Sequence, residues 1–169
     1  MMQELVAAIR KAARAELESI HTAVSATITS YDPVTGTASV QPIGDITIGK
    51  TQQAYPILHD LPVVFPQGAG QSASIVYPVS VGDTCLVIFS EKSIAKLMLG
   101  QDTGADLRFD LSSGICIPGL FATAPASAKE ANRDHAVIIS AGETRLKVGP
   151  SGVHITGNLT VSGTVESAG

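Results

Sequence analysis

Tryptophan is absent from this chain of 169 residues, and aromatics of all kinds make up only 4% of it. Its core must therefore be built from Val, Ile, Leu and Ala, and there are too few rings for the stacking platforms that grip single-stranded nucleic acid. Charge is scarce as well, at 15% of residues against roughly 25% in an ordinary globular domain. With a positive mean hydropathy, so few charges predict a surface that is largely hidden in partners. The net charge is −4, and its placement matters. Residues 1–24 and 140–169 are each balanced, which leaves six basic and ten acidic groups in the middle. No basic stripe is present to neutralise phosphates, the main source of nucleic-acid affinity. There are two cysteines, Cys85 and Cys116, each inside an apolar run; they read as small buried hydrophobes, with no zinc-like spacing. Glu4, Arg10, Lys11, Arg14, Glu16 and Glu18 break up residues 1–24, so no secretory leader is expected there. No run approaches the roughly 18 apolar residues of a membrane-spanning helix. The expectation is a chain made in the cytoplasm and soluble there until it assembles.

What is present is a succession of short apolar runs stopped by Pro and Gly. Residues 63–65 end at Pro66 and residues 74–77 at Pro78, while residues 85–89 follow a Val81-Gly82-Asp83 turn. Such runs are strands of a small all-β domain, with the prolines at run ends where a missing N–H does least harm. Upstream, residues 24–31 alternate, with Val24, Ala26 and Ile28 on one face, as a half-buried strand does. Pro33 and Gly36 then supply the backbone angles of a hairpin turn, and Ala38 and Val40 share a face of the returning strand. Residues 49–54 read as a loop, residues 93–99 as a helical turn or a strand, and residues 107–117 as a strand, a turn and a further apolar run. About five short curved strands with one helical insert suit a partly open Greek-key barrel.

Flanking segments differ from this middle. In residues 2–23, Leu5, Ile9, Ala13, Leu17, Ile20 and Val24 recur at helical steps, so a helix is predicted over residues 1–23. It packs either on its own barrel or on a neighbouring subunit. Residues 121–136 are rich in Ala, Pro and Ser without a period and read as a linker. Residues 137–169 then hold five very short alternating segments separated by glycines, a solenoid-like pattern. A single ribbon of this kind has one apolar face and nothing to cover it. Three copies around an axis would bury that face and pair the edges. The predicted trimer core is Leu146, Val148, Val153, Ile155, Leu159 and Val161.

Candidate chemistry is thin. His21, His59, His135 and His154 are not at metal-ligand spacing, and each reads as a surface or turn residue. Gly68-Ala69-Gly70 lacks the Lys-Ser/Thr pair of a phosphate loop. Asp60 and Asp83 read as turn residues. No catalytic, cofactor-binding or metal-binding residue is assigned, and no enzyme activity is expected.

P-V-V-F-P-Q-G-A-G, then Y-P-V-S-V-G-D-T-C-L-V-I-F and Ser93-Ile94, resemble the N-terminal OB-fold domain of the Gp138-type membrane-piercing spikes of contractile-tailed phages. The upstream S-Y-D-P-V-T-G-T-A-S-V-Q-P and the downstream R-F-D-L-S-S-G-I-C-I-P-G-L resemble that family too, in the expected order between residues 30 and 120. The resemblance implies a homotrimeric virion protein of the tail baseplate: an OB-fold at residues 24–120 and a C-terminal intertwined β-helix or β-prism that acts as a piercing needle. It further implies baseplate hub proteins as partners and contact with the host outer membrane during injection. Related spikes often end in an H-x-H apex where three chains hold an iron. This sequence has no H-x-H, so no metal is carried over, and a separate tip-capping protein is a possible partner. One rival reading is a baseplate adaptor that joins hub and tip without touching membrane. A nucleic-acid-binding OB-fold is the other, disfavoured by the charge pattern above.

Overall fold

A computed structural model of the chain describes residues 2–18, 20–48, 51–100 and 108–166. It divides into two compact units, residues 1–121 and 122–169.

The first unit opens with helix α1 (Met2–Glu18). The helix stops short of the expected residue 23, because Ala23 and Val24 already belong to β1 (Ala23–Asp32) and pair with Ile88 and Val87. The apolar stripe read through Val24 thus joins two elements, and Val24 takes the strand's alternation. β2 (Thr37–Pro42) returns from the turn as expected. Gly36 adopts φ +69 and donates its N–H to the Asp32 carbonyl at 2.9 Å, while the Asp32 carboxylate accepts from the Val34 N–H at 2.8 Å. β3 (Asp45–Ile48) pairs with β4 (Thr51–Ala54), and only β4, polar and exposed, falls in the segment expected to be a loop. β5 (Leu58–Pro62) follows. Next come β6 (Gln67–Gly68) and β7 (Ala73–Ser74), a two-residue pair on either side of a tight turn. β8 (Thr84–Phe89) is the buried strand expected at residues 85–89. α2 (Ala95–Leu99) settles the ambiguous segment as helix and ends in a left-handed Gly100. Of the strand read from residue 107, that residue lies outside the described ones. Residues 108–113 hold no strand but an Asp110-capped turn, where the carboxylate accepts from the Ser112 N–H at 2.8 Å. β9 (Gly114–Pro118) completes the unit.

The main sheet runs in the order β5-β2-β1-β8-β9, all neighbours antiparallel. A parallel bridge from Val63 to Cys116, with the Val64 N–H on the Cys116 carbonyl at 3.0 Å, brings the two outer strands together. The result is mainly β, a half-barrel of OB-like connectivity with an N-terminal helix. Alternation places Ala26, Ile28, Ala38, Val40, Leu58, Leu61, Cys85, Val87, Phe89 and Cys116 in its core. Both cysteines are free and buried; hydrogen bonding to Cys85 and burial push the Cys116 thiol up, which suits a packing role. Asp83 behaves as a turn residue, accepting from the Ser80 N–H at 2.8 Å. Asp60 does not: it sits inside β5 at φ +57, where the pairing with β2 shifts register.

The second unit departs from the expectation in two respects. The segment read as a linker carries a nine-residue helix, α3 (Ala126–Asp134), which ends in a left-handed His135. The tail is then a three-stranded antiparallel meander of β10 (Val137–Ala141), β11 (Thr144–Gly149) and β12 (Gly152–Thr156). Residues 158–166 carry no strand. Within one chain the tail is therefore a local meander rather than a β-helix. Tight two-residue turns at Gly142-Glu143 and at Pro150-Ser151, the latter flanked by Gly149 and Gly152, favour pairing each segment with its sequence neighbour.

Candidate functional site: an uncovered apolar face on the C-terminal sheet

The register of the meander sorts its side chains into two faces, since directly paired residues of antiparallel strands point the same way. Val137, Val148 and Val153 form one row across the three strands, and Ile139, Leu146 and Ile155 form the next. Six branched apolar side chains thus make a continuous two-row patch. It faces solvent: Val137 and Val153 are each 63% exposed and Val148 is 42% exposed. Isolated apolar residues on a surface are ordinary, but a contiguous patch marks a contact surface.

The opposite face carries Ile138, Lys147 and His154 in one row and Ser140, Arg145 and Thr156 in the next. Helix α3 lies on this side, held by charge rather than by apolar burial. Glu130 and Asp134, one helical turn apart, meet Arg145 and Lys147, two apart on a strand. Arg145 donates to Glu130 at 2.5 Å, and Lys147 donates to Glu130 at 3.3 Å and to Asp134 at 2.6 Å. Arg133 adds a bond to Asp134 at 2.7 Å. Hydrogen bonds from Arg133 and then Lys147 hold the Asp134 carboxyl well below the usual carboxylate range. The Arg145 hydrogen bond, followed by that from Lys147, lowers Glu130 in the same direction. With α3 fixed on the polar face, the apolar face is the one left open.

Of the six residues expected in a trimer core, the meander brings Leu146, Val148, Val153 and Ile155 onto this face. Leu159 and Val161 lie beyond β12, outside the sheet, at 66% and 47% exposure. Val137 and Ile139 belong to the face and were missed. Residues 137–139 are apolar throughout, so no alternation marked which of them point outward. The α3 contact was also missed, although two acids four apart and two bases two apart are a legible charge pattern.

The histidines are dispersed. His21 packs its ring against Tyr55 and Phe89, with centroids 6.1 and 5.8 Å away. His59 shares a hydrogen bond with Ser39 at 3.3 Å. His135 closes α3, and His154 stands exposed on β12. Among the described residues, no group of three or more His, Cys, Asp or Glu side chains is placed to hold a metal ion.

Residues 24–119 match a family model described as the phage protein Gp138 N-terminal domain. The match covers the half-barrel from β1 to the end of β9 and leaves α1 and the second unit outside it. No curated protein matches the chain.

Proposed function

The chain belongs to the family of phage proteins defined by the Gp138 N-terminal domain, and from that premise we propose that it is a structural virion protein, the central spike of a contractile-tail baseplate. In this reading it acts as a homotrimer, with its half-barrel seated on hub proteins and its C-terminal unit projecting along the tail axis. Its work is mechanical rather than enzymatic. Sheath contraction drives a rigid rod into the host envelope, a separate protein caps the tip, and no cofactor takes part.

The observation that carries the reading is the two-row apolar face of the meander. In a lone chain it is a liability, because it leaves six branched side chains in water beside two unpaired strand edges. Packed around a three-fold axis, three such faces make one closed core, and Leu159 and Val161 are close enough in sequence to extend it. A core of this kind resists bending because every strand is packed on others.

A second reading, the adaptor, draws support from the local character of the tail. Its three strands pair within one chain as a meander that ends at Thr156, and residues 158–166 form no further strand.

Complementation of a phage lacking the gene separates the two. A chain ending at Phe121 keeps the whole first unit and drops α3 with its sheet. Particles that assemble on this chain but fail to infect support the spike. Full infectivity rejects piercing in favour of the adaptor. Failure to assemble shows that the C-terminal unit is needed for the assembly itself.

A further inference from the structure

Helix α1 and a groove at one end of the half-barrel are both uncovered, and their chemistry is complementary. Along α1, Val6, Ile9, Ala13 and Leu17 recur at helical steps, and Arg10 and Arg14 run one turn apart along one border of that stripe. Residues 2–17 all stand exposed, Ile9 at 59%. A helix with one apolar stripe takes most of its stability from packing that stripe on something else, so α1 calls for a surface to lie on.

The groove is a cavity of about 790 Å³ between the β1–β2 turn, β5 and α2. Ile94, Met98 and Leu99 give it apolar walls, Asp32 and Asp60 give it negative charge, and no Lys or Arg is among the described residues that line it. Hydrogen bonds from the Val34 N–H and the Thr35 side chain hold the Asp32 carboxyl below its ordinary range, so it stays ionised.

In the chain itself α1 does not fill this groove: residues 2–17 all stand exposed, and none of them is among the described residues that line it. A second copy supplies the same apolar stripe and the same two arginines.

We propose that α1 of one copy docks in this groove on a second copy, setting Ile9 and Ala13 against Ile94 and Met98 and Arg10 and Arg14 against Asp32 and Asp60. The proposal rests on the multi-copy assembly of the preceding section and names a contact in it. The contact is head-to-tail, the kind that closes into a ring when the rotation between copies permits.

The test is a cross-link between full-length chains. Ile9→Cys and Met98→Cys, both at exposed positions, are placed in separate chains, co-expressed and mildly oxidised. A mixed dimer that forms in this pair is the expected result. Asp60→Asn, which keeps a residue tolerant of φ above zero, should lower its yield about two- to five-fold, as for a part-exposed ion pair. A repeat in Val153→Asp chains, in which the C-terminal contact is broken, separates this contact from the trimer reading: the mixed product should persist, and its loss would reject docking as a contact in its own right. An Ile9→Cys self-dimer in place of the mixed one would overturn the proposal in favour of a helix bundle. Absence of any cross-link would overturn it outright.

Discussion

Val148→Asp addresses the proposed trimer most directly. Val148 sits on the central strand of the meander, flanked across the sheet by Val137 and Val153, and is 42% exposed in the lone chain. For that lone sheet the change is mild: the position already meets water, and β-propensities span only about 1 kcal/mol. In a shared three-fold core it carries two costs. The exposed part of the valine no longer gains from burial, which forfeits about 1 kcal/mol per copy out of the roughly 1.5–3 kcal/mol that burying a whole Val is worth. The carboxylate also has no counter-charge there. It escapes by taking up a proton, and that caps its cost at pH 7 at about 4 kcal/mol, from an ordinary value near 3.9 and about 1.36 kcal/mol per unit. Three copies lose about 15 kcal/mol together, the whole stability of a typical domain. Sedimentation velocity at micromolar concentration should therefore show the stable three-chain species lost at pH 7.5, leaving between chains only the weaker α1 docking that cross-linking captures. The sign with pH follows from the same argument. The Asp pKa is raised in the assembled state, so the penalty is full at neutral pH and shrinks as pH falls toward 4, where the three-chain species should partly return. Val34→Asp, in the β1–β2 turn at 91% exposure, is the control and should change nothing. A Val148→Asp chain that sediments as three copies at pH 7.5 would refute the shared core.

Three further outcomes are expected. The carboxyls of Glu130 and Asp134 are held below their ordinary values, so the grip of α3 on the sheet is complete above the usual carboxylate range and is lost as pH falls through the depressed values; the protection factor of the Ala131 amide, measured against its intrinsic exchange rate at each pH, should fall as pH drops below 4, and unchanged protection would count against the ion-pair clasp. Gly114→Ala should destabilise the half-barrel by about 1–3 kcal/mol as an overpacked core does, because the new Cβ would lie 2.6 Å from Leu61 Cδ2 and 3.1 Å from Val87 Cγ1. The backbone at Gly114 (φ −73, ψ 144) suits any residue, so the penalty is purely one of space, and a denaturation midpoint equal to the parent's would contradict it. Elemental analysis of the purified protein should give well under one iron per three chains, and a stoichiometric metal would overturn the metal-free reading of the tip.

The local signals in the chain determined much of the first unit. Alternation over residues 24–31 and 37–42, the Pro33–Gly36 turn and the apolar run at 85–89 each depend on neighbours a few residues away, and β1, β2 and β8 lie where those signals place them. The tail face was half legible for the same reason: Leu146, Val148, Val153 and Ile155 announce themselves by alternating. Other features needed the tertiary structure. The closure of the half-barrel joins Val63 to Cys116 through a single parallel bridge, and neither residue's neighbourhood encodes a partner so distant in sequence. α3 escaped an apolar periodicity search because its inward face is Ser127, Glu130, Ala131 and Asp134, and it becomes amphipathic only opposite Arg145 and Lys147 on another element. Val137 and Ile139 could be assigned to the open face only through their register with Val148 and Leu146. A pattern of hydrophobicity records which residues avoid water, whereas the side of a sheet they occupy, and whether anything covers it, is settled by pairing across space.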